Sequence, residues 1–100
     1  MATPALTEAE IAERLAELDG WERDGDTIVK TYTLPSYMAG LAFATTVGTI
    51  AEAHDHHPDL SIGWKTVTVS FTTHDAGKKL STKDFGLAKT LEAIGYPKKS

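Results

Sequence analysis

Hydrophobic positions along the chain follow two periodicities that take turns. Thr7 with Glu10 three residues later has the form of a capping box, and Ile11, Leu15 and Leu18 then recur at helical spacing as far as Gly20, a suitable stop. Trp21 to Arg23 can begin a short strand, and Asp24-Gly25-Asp26 carries turn chemistry. Thr27 to Leu34 reads as a β-branched, alternating strand with Ile28, Lys30, Tyr32 and Leu34 on one face and Val29 on the other, so the buried face is ambiguous. Pro35-Ser36 opens a second helix with Ser36 as N-cap, and Leu41, Phe43, Ala44, Val47, Ile50 and Ala51 form its apolar side. Its threonines and glycines lower its intrinsic propensity, so it must depend on packing. Pro58 turns the chain out of it.

Leu60 to Trp64 reads as a short strand with a turn near Gly63. Thr66 to His74 reads as the clearest strand, with Val67, Val69 and Phe71 on one face and Thr68, Ser70, Thr72 and His74 on the other. After a loop over residues 76–79, Ser81 and Asp84 form a second capping box for a helix carrying Leu87, Ala88, Leu91 and Ile94, ended by Gly95 and Pro97. The order α-β-β-α-β-β-α predicts an α+β two-layer sandwich: a four-stranded antiparallel sheet with three helices on one face. The other face is left open, as a site wall or a subunit interface.

Composition narrows the function classes. One hundred residues predict one domain spanning 1–100. A net charge of −4 gives no basic surface for phosphate backbones, so no nucleic-acid partner is expected. With no cysteine, disulfides, thiolate metal sites and thiol nucleophiles are excluded. No run is apolar enough to span a bilayer, and the N-terminus lacks the pattern of a signal peptide, so the expected location is the cytoplasm, without a membrane partner. The lysine-rich end, Lys98 to Ser100, is expected to fray.

All four histidines fall between His54 and His74, three of them within four positions, and acidic residues flank them. Imidazole exchanges protons near neutral pH, so this grouping suits acid/base catalysis or a metal. If the second helix persists, Glu52 and His56 share a face and the carboxylate orients the imidazole. A metal reading over His54, His56 and His57 competes, yet the spacing is not the i, i+4 pair by which a helix holds one ion, and no metal is expected. Plainer readings exist as well. His54 suits the last carbonyls of a helix, Asp84 its capping box, and Trp64 a core or hairpin anchor.

Read together, Glu52, His56-His57-Pro58, Trp64, His74 and Asp84, with three, five, nine and nine residues between them, resemble the signature of the pterin-4a-carbinolamine dehydratases, a family also known for a dimerisation-cofactor role in animals. The stretch from Leu6 through Ile11, Leu15 and Leu18 to Gly20-Trp21 and the ending Gly95-Tyr96-Pro97 are similar to that family too, so the resemblance covers nearly the whole chain. It implies a hydro-lyase that dehydrates 4a-hydroxytetrahydropterin to quinonoid dihydropterin, recycling the pterin of aromatic amino acid hydroxylases without a cofactor. It also implies that His56, His57 and His74 form the acid/base set, with His56 and His74 as the proton-transfer pair. Glu52 and Asp84 would orient them or hold the pterin's polar edge, with Pro58 and Trp64 beside the substrate. A homodimer or homotetramer is implied, the small residues of the second helix permitting close contact. The alternative is a non-catalytic interaction or assembly module on the same fold.

Overall fold

Alternation in the strand Thr66–Phe71 decides which way the sheet faces: Val67, Val69 and Phe71 are buried, whereas Thr66, Thr68 and Ser70 are only half-buried. The computed structural model describes residues 3–97, so Lys98 to Ser100 and the first two residues lie outside it. Its elements are α1 (Glu8–Leu15), β1 (Glu22–Asp24), β2 (Thr27–Thr33), α2 (Tyr37–Ala53), β3 (Asp59–Ile62), β4 (Thr66–Phe71), a 3-10 turn at His74–Ala76, and α3 (Thr82–Ala93). The strands form one antiparallel sheet in the order β1-β2-β4-β3. Ile28 pairs with Phe71 and Tyr32 with Val67, which settles the ambiguous strand: the Ile28 face is the buried one. Ile11 of α1, Phe43 and Val47 of α2, and Phe85, Leu87, Ala88 and Leu91 of α3 join these side chains in one core. The architecture is the α+β sandwich that the pattern predicts.

Lys30 belongs to the core-facing side of β2 because its ammonium has partners there. It donates to Glu92 at 3.0 and 2.9 Å, and to the Asp19 carbonyl at 3.0 Å. The Tyr32 hydroxyl donates to the same carboxylate at 2.6 Å and the Trp21 indole at 3.2 Å. Burial pushes the Glu92 carboxyl up, but hydrogen bonds from Tyr32, Lys30 and Trp21 outweigh it and hold the group below its ordinary 4.5. Burial, then the bond to Glu92, drives the Tyr32 phenol up. Gly20 passes close beside this cluster with φ +82°, and a Cβ there would meet the Lys30 side chain at 2.9 Å.

Several boundaries differ from expectation; the strand read over Leu60 to Trp64, for example, runs from Asp59 to Ile62. The first helix ends at Leu15 rather than near Gly20, and Glu17 and Leu18 bond instead to the carbonyls three residues back, a tightened last turn that still buries Leu18. The strand expected to reach His74 stops at Phe71; Thr73 makes an isolated bridge to Lys79, and His74 opens the 3-10 turn. In α2 the hydroxyls of Thr45, Thr46 and Thr49 return to the carbonyls four residues back at 2.9–3.0 Å, so these poor helix formers satisfy themselves.

Candidate active site

The end of α2 sets the site. His54 caps the helix, and Asp55 follows in the left-handed region at φ 50°. Its N–H bonds to the Glu52 carbonyl and that of His56 to the Ala51 carbonyl, the paired bonds of a Schellman turn with aspartate in the place that glycine usually holds. This reversal ends the helix before His56, so the expected pairing of Glu52 with His56 does not form. His56 is thrown inward and His57 outward. His54 takes the plainer role: its Nδ1 lies 2.9 Å from the Ile50 carbonyl.

His56 is buried. Its ring stacks on Phe71 with centroids 5.9 Å apart and planes 8° from parallel, and its Nε2 is 2.7 Å from Asp84 Oδ1. Asp84 is fully buried at the start of α3. Its Oδ2 accepts from the Ser81 backbone N–H at 2.9 Å and from the Thr73 hydroxyl at 2.7 Å. The capping role and the histidine contact therefore do not compete: one oxygen serves each. A buried carboxylate needs this many donors to be tolerated. As an acceptor-only group, it fixes the His56 proton on Nε2 and leaves Nδ1 as the nitrogen that can exchange one.

His57 is exposed, with Nε2 2.6 Å from Glu52 Oε1. His74, also exposed, opens the 3-10 turn. The three imidazoles nonetheless line one cleft of about 440 Å³, together with Pro58, Asp59, Thr73, Asp75 and Lys83. That volume lies within the roughly 300–1,000 Å³ common for small-molecule sites. On its rim Lys83 Nζ is 3.5 Å from Asp75 Oδ2, to which the Thr3 hydroxyl donates at 3.1 Å. A second cavity of about 360 Å³, lined by Gly86, Leu87 and Thr90, shares His56 and Lys83 with the first. Trp64 is not brought to the cleft. It is 75% exposed in the turn before β4, whereas the cleft lies past the other end of that strand, and its neighbour is Lys65, whose Nζ sits 4.6 Å from the ring centre. Among the described residues, no group of three or more His, Cys, Asp or Glu side chains is arranged to hold a metal ion, and no helix is long and apolar enough to cross a membrane.

Thr73 and Lys83 were not expected at the site. Lys83 carries no signal in the sequence. Thr73 does carry one, because it directly precedes His74, but a strand reading puts it on the same face as Phe71, with core side chains.

An α+β sandwich with an imidazole-lined cleft at the ends of α2 and β4 has the form of a small-molecule site. The family model described as pterin 4 alpha carbinolamine dehydratase matches residues 4–94, and the chain belongs to that family. A Roseiflexus sp. (strain RS-1) protein provisionally named pterin-4-alpha-carbinolamine dehydratase is 52% identical over 94% of this chain and 99% of its own length. A Chloroflexus aurantiacus protein with the same provisional name is 46% identical over 91% of this chain and 97% of its own. A Brucella melitensis crystal structure titled transcriptional coactivator/pterin dehydratase superposes with a TM-score of 0.83 at 28% identity, covering 90% of this chain and 97% of that one.

Proposed function

We propose that the protein dehydrates a 4a-hydroxytetrahydropterin to the quinonoid dihydropterin and water, by histidine acid/base catalysis. The observation that carries this reading is the meeting of His74 with the adjacent His56 and His57, from separate parts of the chain, around one cleft. In the reaction the C4a–O bond breaks, the N5–H proton leaves and the C4a=N5 double bond forms. One proton is taken and one is given, and no electron leaves the substrate. His56, with its Nε2 proton held by Asp84, takes the N5 proton on Nδ1. His74, on the opposite element of the cleft, delivers a proton to the departing hydroxyl. His57, on the exposed side of the cleft, contacts the ring. Positioned acids and bases of this kind are worth on the order of 100- to 10,000-fold. The test is the decay of enzymatically generated 4a-carbinolamine with the protein present. Acceleration is expected, and a rate equal to the spontaneous one ends the proposal.

A second reading has its own support. β3 is an edge strand whose Leu60 and Ile62 face the helical side yet remain exposed at 36% and 43%, with Met38 of α2 exposed at 68%. An open edge of this kind pairs readily with another strand. We read it as the homo-oligomer contact, and the coactivator title of the Brucella relative as pointing to an assembly role on the same scaffold. Light scattering on the wild type and on Ile62→Lys checks the first point, a fall in mass being expected. Activity indifferent to every histidine, alongside a stoichiometric partner, would favour the assembly role instead.

A further inference from the structure

We infer that Thr73 is a positioning residue for both halves of the acid/base set, an inference that rests on the reading above. Each polar group of this 1%-exposed residue is committed. Its backbone N–H donates to the Lys79 carbonyl at 3.1 Å, and its carbonyl accepts from Ala76 N–H at 3.2 Å. These two bonds close the loop that begins with His74. Its hydroxyl contacts Asp84 Oδ2 at 2.7 Å and Ser81 Oγ at 2.6 Å.

The direction of these bonds follows from the number of protons. Asp84 can only accept, so the single Thr73 hydroxyl hydrogen goes to it. Ser81 must then donate its own hydrogen to Thr73 Oγ1, while Ser81 Oγ accepts from Lys83 N–H at 3.2 Å. The chain runs from Ser81 through Thr73 to Asp84, and each bond polarises the next. Asp84 Oδ1 meanwhile receives His56 Nε2. Without the Thr73 hydroxyl, Oδ2 keeps only the Ser81 N–H and the carboxylate is free to rotate away from the geometry that fixes His56. One residue thus holds the base by its side chain and the loop of the acid by its backbone, which ties together two groups carried on different elements.

Thr73→Val keeps the shape and both backbone bonds while removing the hydroxyl, and Thr73→Ser keeps the hydroxyl. In the carbinolamine assay Thr73→Val is expected to lower kcat about tenfold with KM within about twofold, and Thr73→Ser to restore most of the loss. Nitrogen-15 spectra of the His56 ring are expected to show one Nε2–H tautomer in the wild type and in Thr73→Ser, and a tautomer mixture in Thr73→Val. Equal losses in the two variants, an unchanged kcat in Thr73→Val, or an unaltered His56 spectrum in that variant overturns the inference. If Thr73→Val does not fold, Ser81→Ala keeps the backbone donor to Asp84, removes the upstream hydroxyl together with its capping bond to the Lys83 N–H, and is judged by the same readouts with a smaller shift expected. Should the wild type show no dehydration at all, the proposed reaction fails, while the nitrogen-15 comparison still decides whether Thr73 sets the His56 tautomer.

Discussion

Two histidine–carboxylate pairs are built on adjacent histidines and have almost the same contact distance, 2.7 Å for His56–Asp84 and 2.6 Å for His57–Glu52. Their surroundings are opposite. Asp84 is fully buried with its other oxygen held by two donors, whereas the Glu52 and His57 side chains are 77% and 58% exposed. Water competes for every bond of the exposed pair, so it contributes about 0–1 kcal/mol and holds no single geometry. In the buried pair no water offers an alternative, and losing either partner strands the other. Burial and further donors, not contact distance, separate a fixed pair from a loose one.

The sharpest way to break this comparison is Asp84→Asn. An amide has one acceptor oxygen, and the two donors at the Oδ2 side claim it. Its NH2 group then faces His56 Nε2 and forces the proton to the other ring nitrogen. The wrong tautomer is expected to cost at least 100-fold in kcat, with about 2 kcal/mol of stability lost. Stopped-flow assay and denaturant titration check the two parts separately. A kcat near that of the wild type would show that the buried carboxylate does not set the His56 tautomer. His56→Ala is expected to lose as much activity, and His57→Ala only about tenfold. Equal losses at the two histidines would erase the distinction drawn between the pairs.

Glu92 sharpens the comparison from the other side, as a well-donated carboxylate far from the cleft. Glu92→Gln is expected to lower stability by about 2 kcal/mol, which for a chain of this length is about 10 °C in Tm, with kcat unchanged. The pH dependence has a defined sign. The folded-state Glu92 carboxyl lies below its ordinary 4.5, so its contribution is complete above that pH and disappears as the pH falls through the lowered value. Glu92→Gln should flatten that acid limb in urea titrations between about pH 5 and 3. An unaltered acid limb would mean that the Lys30–Tyr32–Trp21 contacts do not favour the ionised form.

The fold was legible because periodicity is local. The capping boxes at Thr7 and Ser81, the N-cap at Ser36 and the alternation from Thr66 to Phe71 each depend on neighbours within four residues, and each is found. The site was legible only as far as residue types go. That His56 would pair with Asp84 and His57 with Glu52, rather than Glu52 with His56, follows from a Schellman turn at Asp55 that no glycine announced. His74 was assigned to a strand because alternation runs on past Phe71 in the sequence, whereas the bridge from Thr73 to Lys79 turns the chain aside. The spacing that brought Trp64 into the signature gave order along the chain but not distance, and the residue lies beyond the far end of β4.

The smallest expected effect is at the exposed pair. Glu52→Gln keeps a side-chain oxygen within reach of His57 and removes only charge. Stability should change by less than about 0.5 kcal/mol, because both side chains are already solvated. Activity should fall no more than about threefold and appear in KM rather than kcat, since His57 is assigned to ring contact and not to proton transfer. Because solvent-exposed charge is screened by salt, the difference between variant and wild type should shrink further from 20 mM to about 500 mM salt, whereas the loss in Asp84→Asn should not move. A large kcat loss for Glu52→Gln that persists at high salt would mean that the exposed carboxylate is committed to the chemistry, and that burial alone does not rank the two pairs.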